Sequence, residues 1–98
     1  MMKVRRSGGN VFRDIGFSRE EAENLKIRSE LMIRLTRLID TRGLTQAQAA
    51  ALFRVTQPRV SDLVRGKIER FSIDTLVAML GYAGIRVQIV VGRRSQVA

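Results

Sequence analysis

The residues whose types and spacing most clearly indicate a chemical role lie between Thr45 and Gly66. Within this segment, Gln57 and Arg59 stand near the start of a helical pattern, at positions that the pattern leaves exposed. A glutamine amide presents a donor beside an acceptor, and an arginine guanidinium presents a fork of donors. Both groups can therefore hydrogen-bond with the edges of nucleic-acid bases. No other part of the 98-residue sequence indicates a specific chemistry.

Two short helices joined by a tight turn are predicted to hold these side chains. Thr45 and Thr56 supply hydroxyl groups that cap the two helices, and Pro58 lies in the first turn of the second helix, where a missing N–H is tolerated. The apolar residues of the second helix that face inward are Val60, Leu63 and Val64. Its outward residues are Gln57, Arg59, Ser61, Asp62 and Arg65. This layout is typical of a helix-turn-helix, whose second helix enters the major groove of DNA.

A longer helix is predicted before this segment. Ser18 and Glu21 form a capping box at its start, and an apolar stripe with helical spacing continues to about Thr41. Gly43 can adopt the left-handed conformation that closes a helix. Ser29 is a point at which the stretch could kink or divide into two helices.

The C-terminal part is predicted to contain a further helix and then a strand. Ser72 offers the start of the helix, and Gly84 ends it. The apolar pattern then changes from helical spacing to alternation, which is typical of a strand with one apolar face. The residues of this face are Ile85, Val87, Ile89 and Val91.

A lone strand would leave its backbone groups unpaired and its edge exposed. The candidate partner within the chain is the weak segment Met2–Arg6, whereas the same strand of a second copy could pair across a two-fold axis. We therefore expect a homodimer joined by an antiparallel ribbon over residues 85–91. A dimer also presents two recognition helices to two half-sites of a palindromic DNA operator.

Composition excludes several classes of function. The formal charge of +9 favours a polyanionic partner, nucleic acid before a membrane, with a solvated basic surface as the alternative. Cysteine and histidine are absent, so neither a disulfide nor a thiolate metal site is expected, and we expect no cofactor. The spacing of the nine carboxylates does not indicate a pair for general acid–base catalysis, and the sequence contains no glycine-rich phosphate loop. An enzyme is therefore the least favoured class. No apolar stretch approaches the length of a membrane span, so the cytoplasm is the expected location.

The ends of the chain are predicted to lie outside the folded domain, which we place at residues 11–91. Residues 1–10 are expected to form a flexible basic tail, and residues 92–98 a polar one. The apolar residues Val11, Phe12, Ile15 and Phe17 form a small cluster at the start of the domain. Packing of this cluster on the core is favoured over a role as a docking segment.

The patterned positions of the central segment match the Cro/C1-type (XRE) helix-turn-helix family. They are Thr45-Gln46, Ala49-Ala50, Val55-Thr56-Gln57, Val60-Ser61, Leu63 and Gly66. The wider stretch of about residues 10–91, including Asn10-Val-Phe-Arg-Asp-Ile-Gly-Phe and Phe71-Ser-Ile-Asp-Thr-Leu, resembles the HigA-like antitoxins of bacterial toxin–antitoxin operons. The resemblance implies an all-α, five-helix lambda-repressor-like domain with a C-terminal β-strand.

The resemblance also implies individual contacts with DNA. Gln46 would contact a phosphate and brace the first recognition residue, Gln57 would pair with adenine, and Arg59 with guanine or a neighbouring phosphate. Asp62 either accepts from a cytosine amine or forms an ion pair with Arg59 or Arg65. Pro58 suits a thymine methyl group, and Ser61 lies on the same side as the base-reading residues. Phosphate contacts are expected for Arg54, Thr56, Arg65 and Lys67. The predicted DNA-binding residues are Gln46, Arg54, Thr56, Gln57, Pro58, Arg59, Ser61, Asp62, Arg65 and Lys67.

One position departs from the family pattern. The residue before Val55 is usually glycine, because the turn there commonly needs a positive φ, but here it is Arg54. Either the turn relaxes slightly, or Arg54 is retained for a phosphate contact despite a cost of roughly 1 kcal/mol or more.

The leading hypothesis is a DNA-binding repressor that is the antitoxin of a type II toxin–antitoxin operon, where it represses its own promoter and binds a ribonuclease toxin. The candidate docking surface for a toxin is the cluster at residues 11–17 together with the acidic helix start at Glu20, Glu21 and Glu23. Those acids could equally compensate the helix dipole. The alternatives are a stand-alone or phage-type repressor, and a protein-interaction module without DNA binding.

Overall fold

The computed structural model describes residues 2–6, 12 and 15–92. In chain order their elements are β1 (Met2–Arg6), α1 (Arg19–Arg42), α2 (Gln46–Phe53), α3 (Gln57–Val64), a 3₁₀ turn (Ile68–Arg70), α4 (Ile73–Tyr82) and β2 (Val87–Val91). The helix-turn-helix comprises α2 and α3. Four α-helices are delimited within the described residues, not the five that the resemblance implied, and residue 12 is also helical. As expected, α1 continues past Ser29 as one helix.

Hydroxyl side chains begin the helices, as the sequence predicts. The Ser18 hydroxyl accepts a hydrogen bond from the Glu21 N–H at 3.2 Å. At the start of α2 the Thr45 hydroxyl accepts from the Gln48 N–H, and the Gln48 side chain accepts from the Thr45 N–H, which completes a capping box. Similar hydroxyl caps begin α3 and α4. Gly43 ends α1 in the left-handed conformation, with φ of 61°, so this prediction is also confirmed.

The core lies between α1 and α4, and α2 and α3 complete it by packing on each other, with α2 also against α4 and α3 against α1. Apolar faces of every α-helix contribute to it, and Phe71 from the loop before α4 is buried with them. Its largest fully buried side chains are Phe53, Phe71, Leu31, Leu35, Leu63, Leu76, Met79, Leu80 and Val60. Burial of such side chains contributes about 1.5–3 kcal/mol each, so this core fixes how α2 and α3 are held.

No helix in the described residues has the length and apolar content needed to cross a membrane.

The two strands form a parallel sheet, which corrects the expectation for the N-terminal segment. Met2–Arg6 is a strand rather than a flexible tail, with Met2 opposite Val87 and Arg6 opposite Val91. The Met2 N–H donates to the Arg86 carbonyl at 2.8 Å, and the Met2 side chain packs on the core. One edge of β2 is therefore paired within the chain, so a second copy is not needed to satisfy that edge. Residues 1, 7–11, 13, 14 and 93–98, which include the remainder of both predicted tails, lie outside the described residues.

The apolar cluster before α1 does not join the core. Ile15 is 67% exposed and Phe17 is 39% exposed, although packing of the cluster on the core was favoured from the sequence. The rings of Phe12 and Phe17 meet edge to face at 6.2 Å, and the Phe17 N–H donates to the Phe12 carbonyl. Val11 lies outside the described residues. The described part of the cluster is thus held by a local turn, which leaves apolar surface open to solvent.

Candidate nucleic-acid interface

The turn between α2 and α3 contains a strained residue at the predicted position. Arg54 has φ of 58° and ψ of 44°, which is the left-handed region that favours glycine. The turn has therefore not relaxed, and the conformation costs roughly 1 kcal/mol or more. The Arg54 guanidinium lies over the Tyr82 ring, with Cζ 4.3 Å from the ring centroid. This cation–π contact offsets part of the strain and holds Arg54 against the end of α4.

Two buried residues fix the rotation of α3 about its own axis. Val60 is 0% exposed and Leu63 is 1% exposed, so the side of α3 that carries them faces the core. The Thr56 hydroxyl accepts from the Arg59 N–H at 3.4 Å and caps the helix, as predicted. Val64, which we expected to face inward, is 50% exposed because it lies at the margin of the apolar side. The remaining residues divide between two sides of the helix.

The open side of α3 consists of Gln57, Pro58, Ser61 and Arg65. Gln57, Pro58 and Arg65 are exposed, and Ser61 is half-buried. Successive members of this set are one, three and four positions apart in the sequence, so they lie along one side of the helix. The side chains of Gln57, Ser61 and Arg65 form no hydrogen bond or ion pair with other described residues, so their polar groups remain available. Thr56 and Gln46 are also exposed, at the starts of α3 and α2.

The loop side of α3 holds Arg59, which the sequence placed among the outward base-reading residues. Its Nη1 donates to the Arg70 carbonyl at 2.9 Å, and its Cζ lies 5.2 Å from the centroid of the buried Phe71 ring. Arg59 is thus half-buried against the segment after α3. A base contact would require its guanidinium to leave both partners.

Asp62 also lies on the loop side. Its carboxylate, with the side chain only 15% exposed, receives bonds from Arg70 Nη1 at 3.2 and 3.3 Å. Lys67 Nζ lies 3.9 Å away, and the Lys67 N–H donates to the Asp62 carbonyl. The ion pair that we considered for Asp62 therefore forms, but with Arg70 and Lys67 instead of Arg59 or Arg65. Its carboxylate stabilises the loop, and Lys67 is partly neutralised.

Comparison with known proteins agrees with this geometry. Residues 11–92 match the family model described as a helix-turn-helix domain. The chain belongs to this family. It is also similar to a solved structure assigned to the XRE family of transcriptional regulators, with 33% identity, a TM-score of 0.71, and coverage of 80% of this chain and 88% of that chain. No curated protein matches the sequence.

Membership of the XRE helix-turn-helix family supports a DNA-binding transcriptional regulator. Proteins of this family are typically non-enzymatic. In such a regulator the second helix of the motif is the recognition helix, which here is α3. The open side of α3 is the part of this helix whose polar side chains engage no other described residue.

Two arginines of this XRE protein hold the loop beside the recognition helix, and no pattern in the sequence indicates this role. Arg28 on α1 donates through Nη1 to the Ile68 and Phe71 carbonyls at 3.0 and 3.4 Å, and Arg70 binds the Asp62 carboxylate. The Arg28 contacts join residues that are 40 and 43 positions apart, so no local pattern could indicate them. Together the two arginines fix the loop of residues 67–71 beside the recognition helix.

Proposed function

We propose that this helix-turn-helix protein is a sequence-specific transcriptional repressor that binds a palindromic operator as a homodimer, and that it is the antitoxin of a type II toxin–antitoxin operon. The observation that carries DNA reading is the open side of α3, where Gln57 and Ser61 project polar groups that no described residue engages. The chain's charge of +9 supports a polyanionic partner.

Gln57 is the leading base-reading residue in this proposal. It is exposed at the first position of α3, where a glutamine amide can form a bidentate pair with adenine N6 and N7. Ser61 lies one turn further along the same side and suits a second base contact. Pro58 is exposed between them and offers an apolar contact to a thymine methyl group.

Phosphate contacts are proposed for residues around the open side. Arg65 is exposed and unpaired among the described residues, so its full charge is available to the DNA backbone. Thr56 and Gln46 stand at helix starts, where N–H groups and the helix dipole favour an anion. Arg54 and Lys67 would contribute charge from their partly engaged positions. In base reading Arg59 and Asp62 act indirectly, because their contacts hold the recognition helix against the loop of residues 67–71.

The proposed homodimer uses the edge of β2 that β1 leaves open. In the described residues the sheet has only the two strands β1 and β2. Ile89 is 54% exposed and Val91 is 76% exposed, although both belong to the alternating apolar pattern whose first members, Ile85 and Val87, pack on the core. Antiparallel pairing of β2 with a second copy would cover this edge and bury apolar surface.

The antitoxin role is supported by the exposed surface before α1. Ile15 and Phe17 expose apolar surface beside Glu20 and Glu21, which are exposed in the first turn of α1. An apolar patch rimmed by acidic groups suits a basic partner, and toxins of the family that the sequence resembles are basic ribonucleases.

The experiment that tests DNA reading is a titration of the protein against the promoter upstream of its own coding sequence, monitored by fluorescence anisotropy. We expect binding that is at least roughly a thousandfold tighter than to random duplex of the same length at the same salt concentration. Equal affinity for the two duplexes would contradict sequence-specific repression.

The dimer is tested by the variant Ile89→Glu, with Gln88→Glu as the matched control on the same strand. We expect sedimentation analysis to give a monomer for Ile89→Glu and a dimer for Gln88→Glu, because only the former places a charge in the apolar interface. Retention of the dimer by Ile89→Glu, with an unchanged circular dichroism spectrum, would refute the proposed interface.

The toxin partner is tested by co-expression with the adjacent reading frame and co-purification. A double variant, Ile15→Ser with Phe17→Ser, should lose the partner. The control Ile33→Ser should retain it, because Ile33 is exposed and apolar but lies on α1, away from the segment before this helix. If wild-type protein purifies alone and the adjacent product is harmless when expressed by itself, the protein is a stand-alone repressor instead.

A further inference from the structure

An open groove of about 420 Å³ lies between α1, the 3₁₀ turn and the start of α4. It borders the loop side of α3 and is separate from the open side. Its polar lining comes from elements that are distant in sequence. The polar residues that line it include Asn24, Arg28, Arg59, Glu69, Arg70 and Thr75.

Two guanidinium groups in this groove carry charge that no described acid neutralises. Arg28 donates through Nε to Asn24 Oδ1 at 2.6 Å and through Nη1 to backbone carbonyls. Arg59 donates through Nη1 to the Arg70 carbonyl. Every one of these acceptors is uncharged. Among the described residues, no carboxylate lies within ion-pair distance of Arg28 or Arg59, and this includes Glu69 at the rim.

The two groups also retain unused donors. A guanidinium has five N–H bonds, and the hydrogen bonds of Arg28 use Nε and Nη1, while that of Arg59 uses Nη1. The fork of an arginine matches two oxygens of a phosphate group, and two forks from different elements can hold its tetrahedral oxygens from different directions. Both side chains are held by their present contacts, so little conformational freedom is lost when an anion binds.

We propose that this groove binds a phosphate group. The phosphate would accept hydrogen bonds from the unused N–H groups of Arg28 and Arg59, with Arg70 at the rim partly neutralised by Asp62. It comes either from a free phosphate-bearing small molecule or from the DNA backbone. The inference does not depend on base reading by α3, because a titration with inorganic phosphate requires no DNA.

Two substitutions with opposite expected effects test the groove. Asn24→Asp keeps an oxygen acceptor for Arg28 and adds a negative charge next to it, so phosphate binding should weaken at least roughly tenfold. Glu69→Gln removes an exposed negative charge from the rim, so binding should tighten about two- to fivefold. Gln88→Glu on β2 is the matched control for an added charge, and it should leave phosphate binding within about twofold of wild type.

The measurement is an NMR titration of each protein with inorganic phosphate at a constant ionic strength set by sodium chloride. We expect saturable shifts of the Arg28 and Arg59 Nε–Hε signals. Shifts that spread over all arginines without saturation would indicate an adventitious ion only and would overturn the proposal. Equal weakening by Asn24→Asp and Gln88→Glu would also overturn it. Since unfolding cannot tighten binding, the Glu69→Gln result separates the site from a stability effect.

A second titration identifies the source of the phosphate, using random-sequence duplex DNA at several salt concentrations. If the DNA backbone supplies it, Asn24→Asp should reduce the slope of log K against log salt by about one unit relative to Gln88→Glu. If a free molecule supplies it, the two variants should give the same slope although only Asn24→Asp has lost inorganic phosphate binding. If the wild-type protein does not bind DNA, the proposed function is contradicted. The result with inorganic phosphate is unaffected by that outcome.

Discussion

On the open side of α3, Gln57 and Ser61 engage no other described side chain, whereas on the loop side Arg59 and Asp62 are held by Arg70, Lys67 and Phe71. All four residues are polar and lie within two turns of one short helix, so their types alone do not separate them. The difference arises after the end of α3, because the loop of residues 67–71 returns to only one side of the helix. In this helix, therefore, some polar residues hold it in place while others remain unengaged.

The largest effect is expected on the open side, for Gln57→Ala. Loss of the amide should cost roughly 1–3 kcal/mol of binding to the cognate operator, with little change on random DNA and in the midpoint of thermal unfolding. Anisotropy titrations and thermal melts of Gln57→Ala and of the control Gln88→Ala measure this. Equal losses on cognate and random DNA would remove Gln57 from base reading.

On the loop side, Arg59→Ala should show the opposite pattern. Loss of the hydrogen bond to the Arg70 carbonyl and of the contact with Phe71 should lower the free energy of unfolding by about 1–2 kcal/mol. The ratio of cognate to random DNA affinity should change little. Urea denaturation measures the first quantity and anisotropy the second. A large loss of specificity with unchanged stability would show that Arg59 leaves the loop to contact a base.

The turn before α3 offers a sharper test through two variants of one residue. Arg54→Ala and Arg54→Gly both remove the contact with Tyr82, but only glycine relieves the left-handed conformation. The free energy of unfolding should therefore be about 1 kcal/mol higher for Arg54→Gly than for Arg54→Ala, so the glycine variant is the more stable one. Equal stability of the two variants in urea would mean that the turn stores no strain.

The smallest effect is expected for Arg65→Ala at the end of the open side. Loss of one phosphate contact should reduce the slope of log K against log salt by about one unit, equally for cognate and random DNA. Asp40→Ala, which removes an exposed acid elsewhere, should not reduce this slope. A change of specificity in Arg65→Ala would instead place this residue on a base.

Much of the local structure could be predicted from the sequence, because it depends on neighbours in the chain. The caps at Ser18 and Thr45 and the left-handed Gly43 arise from local hydrogen bonds and backbone sterics. The positive φ of Arg54 could be anticipated from the position of the residue in the turn. The burial of Val60 and Leu63 is a consequence of helical periodicity.

The errors concern contacts between distant segments. The sequence placed residues 2–6 in a tail, since five residues with little apolar pattern do not indicate a strand until β2 is beside them. It also placed Ile15 and Phe17 in the core, because apolar type predicts burial only when a partner surface is within reach.

The sequence by itself determined that this protein contains a helix-turn-helix with polar residues on its second helix, since caps, periodicity and turn geometry are local properties. Only the tertiary structure decided which of those polar residues remain unengaged. The contacts of Arg59 with Arg70 and Phe71, and of Arg28 with the same loop, form across 11 to 43 residues. Such contacts depend on how the helices pack, which no short window of sequence specifies.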